Sequence, residues 1–319
     1  MGVMWHGAEY LCLARREGLK FDRTVTVGRS YFQVHQTKFC HMLKYHGLDG
    51  SPGAPAYTDE PPRYAESFFK LLGAETVDAI DASSYEGANV VCDLNHPIPS
   101  ELHGRYDVVY DGGSLEHIFN VPQALKNYMS LAREGGSVIV DTMANNCMGH
   151  GLYQFSPELF HRAFSPENGF SVVNVVVFEY YDYSPMYRVP DPASVRSRIE
   201  LVNPRRVGVI AHARRDRVVP IFENWPQQSD YTEVWDGRAE MAAPAPASPA
   251  SPGLKREMIE RVKRLLPGMV YLKHDLIRRF PKLPGWKSRS DGARANAAFS
   301  FESQPGKFVP WAHGPKNGR

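Results

Sequence analysis

Cysteine is scarce in this sequence: Cys12, Cys40, Cys92 and Cys147 are the only four in 319 residues, and no two form a CxxC pair. That scarcity excludes a zinc knuckle and a disulfide-stapled scaffold, and a reducing cytoplasm is the expected setting. No cluster with metal-ligand spacing stands out, so no metal site is expected. Long apolar runs are missing too, since no stretch approaches the ~20 apolar residues that a membrane-spanning helix needs. The first 13 residues are broken by His6, Gly7 and Glu9 and have no basic start, which argues against a signal peptide. Neither sign of charge dominates: 37 Lys and Arg oppose 35 Asp and Glu, for a net charge of +2. That balance predicts no nucleic-acid partner and leaves the oligomeric state open.

What is present is an alternation of β-branched runs with segments of helical period, the pattern of a doubly wound α/β sheet. The expected strands are 24–27, 76–80, 89–92, 106–110 and 137–140, followed by a closing pair at 170–180 and 206–213. Helices are expected at 31–45, 65–72, 121–132 and 156–164, with Asn120 and Ser156 as N-caps and Pro122 and Pro157 in the first turns. The fold class is therefore α/β, Rossmann-like and mostly parallel, with an antiparallel terminal strand and a basic helical C-terminal appendage. In chain order, residues 1–22 are a helical lead-in and 23–216 the main domain. An irregular segment with an Ala/Pro-rich linker fills 217–253, because repeated prolines remove backbone donors and fix φ. A basic helical segment at 254–287 precedes a loose tail at 288–319. The basic segment either docks on the main domain or touches an anionic membrane surface from the cytoplasmic side. Residues 47–62, rich in Gly and Pro, read as an exposed loop and a candidate lid.

In an open parallel sheet the ligand lies outside the carboxyl ends of the strands, where strand order reverses. Here those ends carry Gly28, Asp81, Asp93 and Asp111. A carboxylate accepts two hydrogen bonds, which suits a vicinal diol. Each of these aspartates, taken alone, is also an ordinary turn residue.

The run from Tyr106 to His117, YDVVYDGGSLEH, together with Asp81 and Asp93, resembles the class I S-adenosylmethionine (SAM) dependent methyltransferases. The resemblance implies that Asp81, with Ala82, meets the ribose of SAM, and that Asp93, with Leu94, meets the adenine. It implies that Asp111, Gly112 and Ser114 face the methionine part and the acceptor. Glu116 and His117 either belong to that site or tie down the next helix. His150, between two glycines, and Tyr153 follow the fifth strand, as in methyltransferases of polysaccharide and secondary-metabolite pathways. His150, Tyr153 and His117 are the candidates for positioning the acceptor or removing a proton from it. The implied reaction is SN2 methyl transfer to a small-molecule or saccharide hydroxyl, or to an amine.

The sequence departs from this family after the first strand. A Gly-x-Gly-x-Gly turn is usual there, because missing side chains let the backbone approach the ligand. Here only Gly28 remains, followed by Arg29, Ser30 and Tyr31. The departure motivates a second reading, a catalytically inactive SAM-fold binding or scaffold protein. A nicotinamide oxidoreductase would need the same missing glycines.

Overall fold

The computed structural model describes residues 2–50, 64–181, 184–195, 198–199, 201–235 and 294–295. The chain runs β1 (Gly2–Val3), α1 (Trp5–Arg16), β2 (Arg23–Val27), β3 (Tyr31–Phe32), α2 (Gln36–His46), α3 (Glu66–Leu71), β4 (Thr76–Asp81), β5 (Val90–Val91) and β6 (Tyr106–Gly112). It continues through α4 (Val121–Leu131), β7 (Ala132–Asn145), α5 (Pro157–Ala163), β8 (Phe170–Glu179), β9 (Tyr187–Arg188), α6 (Pro192–Val195), β10 (Leu201–Val202), β11 (Val207–Arg215), α7 (Ser229–Trp235) and β12 (Arg294–Ala295).

Eight strands form the main sheet in the order β5-β4-β2-β6-β7-β11-β8-β9. The first five are mutually parallel. The antiparallel terminal strand is β11, which lies between β7 and β8 rather than at the edge. This is the expected α/β, Rossmann-like, mostly parallel sheet. Its central strands are buried on both faces, which is why β2 and β6 read as continuous β-branched and aromatic runs. Thr24 tolerates that burial because its hydroxyl donates to the Phe21 carbonyl at 2.7 Å.

Alternation along the strands builds two cores. Val109, Val138 and Val140 pack with Leu125, Tyr128 and Phe160 of α4 and α5 on one face. Val108, Tyr110 and Ile139 pack on the other with Leu11 of α1, Phe39 of α2 and Phe68 of α3. Each fully buried Leu or Phe contributes about 1.5–3 kcal/mol to holding helices on the sheet. The N-terminal helix α1 is buried on nearly every side. At Gly7 it packs so closely that a Cβ would stand 2.5 Å from Asp141 Oδ2 of β7.

Three elements differ from the sequence reading. The helix expected at 31–45 starts only at Gln36, because Tyr31 and Phe32 pair in parallel with Gly2 and Val3. Its end is well marked: Gly47 takes φ +69°, where a Cβ would be strained. The fifth parallel strand is longer than expected, spanning Ala132–Asn145 with an irregular register opposite Tyr106. Asn120 occupies the N-cap position of α4 but does not cap it; its side chain instead donates to the Asn95 carbonyl at 3.0 Å. Ser156 does cap α5, accepting from the Glu158 N–H.

The Ala/Pro-rich linker, the basic helical segment, most of the expected lid and all of the tail but Arg294 and Ala295 lie outside the described residues. Among the described residues no helix is long and apolar enough to cross a membrane.

Candidate functional site

From β2 the chain extends the sheet through β4 to β5, then returns to the other side of β2 to lay down β6 and β7. Strand order therefore reverses between β2 and β6, whose register pairs Val27 with Asp111. The switch point falls where the sequence places Gly28 and the Asp111–Ser114 loop. Gly28 turns the chain at φ +69° and donates its N–H to the Ile80 carbonyl at 2.7 Å. Ser114 is buried, and its hydroxyl donates to the Val27 carbonyl at 2.7 Å, tying the two strand ends together. Gly112 packs against the N-terminal strand so closely that a Cβ would meet the Gly2 carbonyl at 2.8 Å.

Asp111 does not occupy the position expected of a ligand-facing group. It is buried, and its carboxylate accepts from the N–H groups of Ser114 at 2.6 Å and Leu115 at 2.9 Å and from the Tyr128 hydroxyl at 3.0 Å. Burial, and secondarily the neighbouring Glu116, push its pKa up to about 7. In this structure Asp111 organises the loop from within. The expectation that it meets the methionine part of SAM therefore concerns a carboxylate already engaged by its own loop and by Tyr128.

Asp81 and Asp93 are different. Asp81 ends β4 half-buried, and among the described residues its carboxylate accepts only one hydrogen bond, a long one of 3.4 Å from the Ser83 N–H. Asp93 is exposed two residues beyond β5, where one oxygen accepts from the Asn95 backbone and side-chain amides at 2.9 and 2.8 Å. Those bonds, the backbone one first, lower its pKa. Ala82 is exposed beside Asp81. Leu94 belongs to the core instead, and its carbonyl accepts from Asn127.

Arg29 stands where the resembling family has glycine. Its guanidinium donates to Glu66 Oε1 at 2.7 Å and to the Glu86 carbonyl at 2.9 Å, and lies 3.7 Å from the Tyr64 ring centroid. Tyr31 stacks on Tyr64 at 4.8 Å and donates to Glu86 at 3.2 Å. Ion pair, cation–π contact and ring stack together form a polar-aromatic cluster beside the first turn.

Next to the switch point is a cavity of about 330 Å³, lined among others by Gly2, Gly112, Glu116, Asp141, His150 and Arg206. Glu116 is fully buried, and its Oε2 accepts from the Thr142 hydroxyl at 2.7 Å. Its other oxygen, Oε1, has no hydrogen-bond partner among the described residues and lies 3.7 Å from Nε2 of the half-exposed His150. Burial first, then the charges of Glu116 and Asp111, raise the pKa of Asp141 well above the carboxylate range. The 149–152 loop can lie against Glu116 because Gly151 takes φ +72°, where a Cβ would stand 2.8 Å from the Glu116 carbonyl. Leu152 then donates its N–H to that carbonyl at 2.6 Å.

His117 joins this corner, its ring 5.2 Å from that of His150. Glu116, His117 and His150 each offer a ligand atom, all within 4.8 Å of one another. Sequence spacing, from which no metal site is expected, does not reveal this grouping, because the two histidines come from separate loops. Tyr153 is not part of it: its hydroxyl donates to the Phe119 carbonyl at 2.9 Å. Asp141 went unnoticed in the sequence, although it follows the expected 137–140 strand as the other aspartates follow theirs.

The chain matches no family model and no curated protein. Among solved structures it is similar to the trans-methyltransferase CalH in complex with SAH, at 15% identity and TM-score 0.33, covering 64% of this chain and 54% of that one. The match thus spans about half the length of CalH. It is also similar to the Burkholderia thailandensis 1,6-didemethyltoxoflavin-N1-methyltransferase, at 15% identity and TM-score 0.35, covering 66% of this chain and 79% of that one. A SAM-dependent methyltransferase from Aquifex aeolicus matches at 13% identity and TM-score 0.31, covering 64% of this chain and 88% of that one.

Proposed function

We propose that this chain is a SAM-dependent methyltransferase acting on a hydroxyl or amine of a small molecule or saccharide. The observation that carries the proposal is a coincidence at one end of the sheet. Strand order reverses between β2 and β6, the carboxylates of Asp81 and Asp93 stand at the strand ends on one side of that point, and on its other side a cavity opens at Gly112, Gly113, Glu116 and His150. The volume, about 330 Å³, falls in the range of small-molecule sites rather than macromolecular surfaces.

The residues fit the cofactor at the nucleoside end. Asp81 has carboxylate oxygens to offer a ribose diol, and Asp93 offers an acceptor to an exocyclic amine. When bound, SAM supplies an electrophilic methyl group. The chain's own work is to hold the acceptor in line and shield it, since orientation alone can lower a barrier by several kcal/mol. Proton removal falls to His150, whose glycine-flanked loop leaves the imidazole open to the cavity, with Nε2 3.7 Å from Glu116 Oε1.

Titration calorimetry of the full chain with SAM and with its demethylated product tests the reading. One-to-one binding supports it, and absence of heat at saturating concentrations rules it out. The second reading, an inactive scaffold, draws on the Arg29 cluster beside the first turn, and it is the one left standing if neither nucleoside binds.

A further inference from the structure

We propose that Glu116, His117 and His150 bind a divalent transition-metal ion of the zinc class, with an open coordination position toward the cavity. The inference does not rest on methyl transfer, because it concerns ion occupancy.

The first observation is Glu116 itself. It has no solvent exposure, and although Oε2 is satisfied by Thr142, Oε1 is buried with no hydrogen-bond partner among the described residues. A bare carboxylate oxygen in a low-dielectric setting is costly unless a cation accompanies it. That oxygen lies toward the imidazole of His150, 3.7 Å away.

The second observation is the donor set. One carboxylate oxygen and two imidazole nitrogens lie within 4.8 Å of one another. Around zinc, with bonds of about 2.0–2.2 Å, tetrahedral ligand atoms sit about 3.3 Å apart. Closing the difference takes movements of about an ångström, well within side-chain rotation of two exposed histidines, one of them between Gly149 and Gly151. Two imidazoles and a carboxylate suit zinc, cobalt or iron, whereas magnesium and calcium prefer oxygen-only sites.

Three protein ligands leave a fourth position open. Glu116 and His150 both line the cavity, so that position faces the space where an acceptor would lie. A hydroxyl bound there becomes more acidic. With the ion in place His150 is a ligand, and its part as proton acceptor belongs to the metal-free chain.

The test uses the full chain, stripped with chelator, titrated with zinc chloride by calorimetry and with cobalt chloride by visible absorption. The expected result is one ion per chain at micromolar affinity or tighter, with ligand-field bands of four- or five-coordinate cobalt. His117→Ala and His150→Ala should each weaken binding ten- to a hundred-fold, and Glu116→Gln, which can retain the Thr142 bond, should do the same. Should Glu116→Gln fail to fold, the two variants of exposed histidines carry the test. His96→Ala, at the exposed Asp93–His96 pair, should bind zinc like the parent. The proposal is overturned if no saturable one-equivalent binding occurs, if both histidine variants bind as tightly as the parent, or if His96→Ala abolishes binding.

Discussion

The Arg29 guanidinium and the Glu66 carboxylate meet at 2.7 Å beside the β2 turn, joining the first turn of the sheet to helix α3. Both side chains are about 30% exposed, so the ion pair alone contributes no more than about 1 kcal/mol. The Glu86 carbonyl and the Tyr64 ring raise the stake to roughly 1–2 kcal/mol. Arg29→Ala is therefore expected to lower the unfolding free energy read from urea titration by that amount. Arg29→Lys should recover only part of it, because an ammonium cannot reproduce the planar fork. Full recovery by lysine would mean that charge alone matters.

Asp81 and Asp111 are expected to separate binding from folding. Asp81→Ala removes a carboxylate with a single long bond, so stability should hardly change while SAM affinity falls by about 1.5–3 kcal/mol. Asp111→Ala strands two buried N–H groups and the Tyr128 hydroxyl, which predicts a stability loss of roughly 2–4 kcal/mol. Calorimetry and urea unfolding on both variants check this. Unchanged SAM affinity in Asp81→Ala would make Asp81 a turn residue only.

Tyr153→Phe should leave the rate of methyl transfer unchanged. The hydroxyl is spent on the Phe119 carbonyl, and its loss should cost about 0.5–1.5 kcal/mol of stability. A large fall in kcat with unchanged KM would return Tyr153 to the chemistry.

Gly151→Ala places a Cβ at positive φ and 2.8 Å from the Glu116 carbonyl. The loop must move to accept it, so we expect a loss of at least about 1 kcal/mol together with weaker zinc binding. Urea unfolding and the zinc titration read the two effects on the same sample.

His212 predicts a pH dependence of stability. Its ring lies between the Tyr10 hydroxyl and Ser137 Oγ, each at 3.0 Å, and full burial lowers its pKa to about 4. Unfolded histidine titrates near 6.5, so between those values the unfolded chain binds a proton that the native chain does not. The contribution is complete above about pH 6.5 and is lost as pH falls toward 4, at up to about 1.4 kcal/mol per pH unit. His46, also lowered to about 4 by burial and then by Arg16, adds the same sign. Asp111, raised to about 7, opposes them, its contribution declining as pH rises through the same window. His212→Gln should therefore remove one share of the slope between pH 4 and 6.5 in urea unfolding. A slope identical to that of the parent would contradict the assignment.

Strand identities and the parallel order were legible in the sequence because hydrophobic periodicity is local. The β-branched runs of β2, β4 and β6, each followed by Gly or Asp, mark both the strand and its carboxyl end. Whether an aspartate at such an end faces a ligand or its own loop is not local. Asp81 and Asp111 occupy equivalent sequence positions, yet only tertiary packing buries Asp111 beneath the Ser114 loop and against Tyr128. Periodicity also failed at Tyr31 and Phe32, where pairing with Gly2 and Val3 overrides helical spacing. Glu116 and His150 are brought together by a loop that only a positive-φ glycine at 151 allows, a contact between distant segments that no spacing rule reads. Composition and pattern thus determined the sheet and the edge at which chemistry would gather. Burial and long-range contact decided which carboxylates are spent on structure and which carboxylate, Glu116, is left facing two histidines.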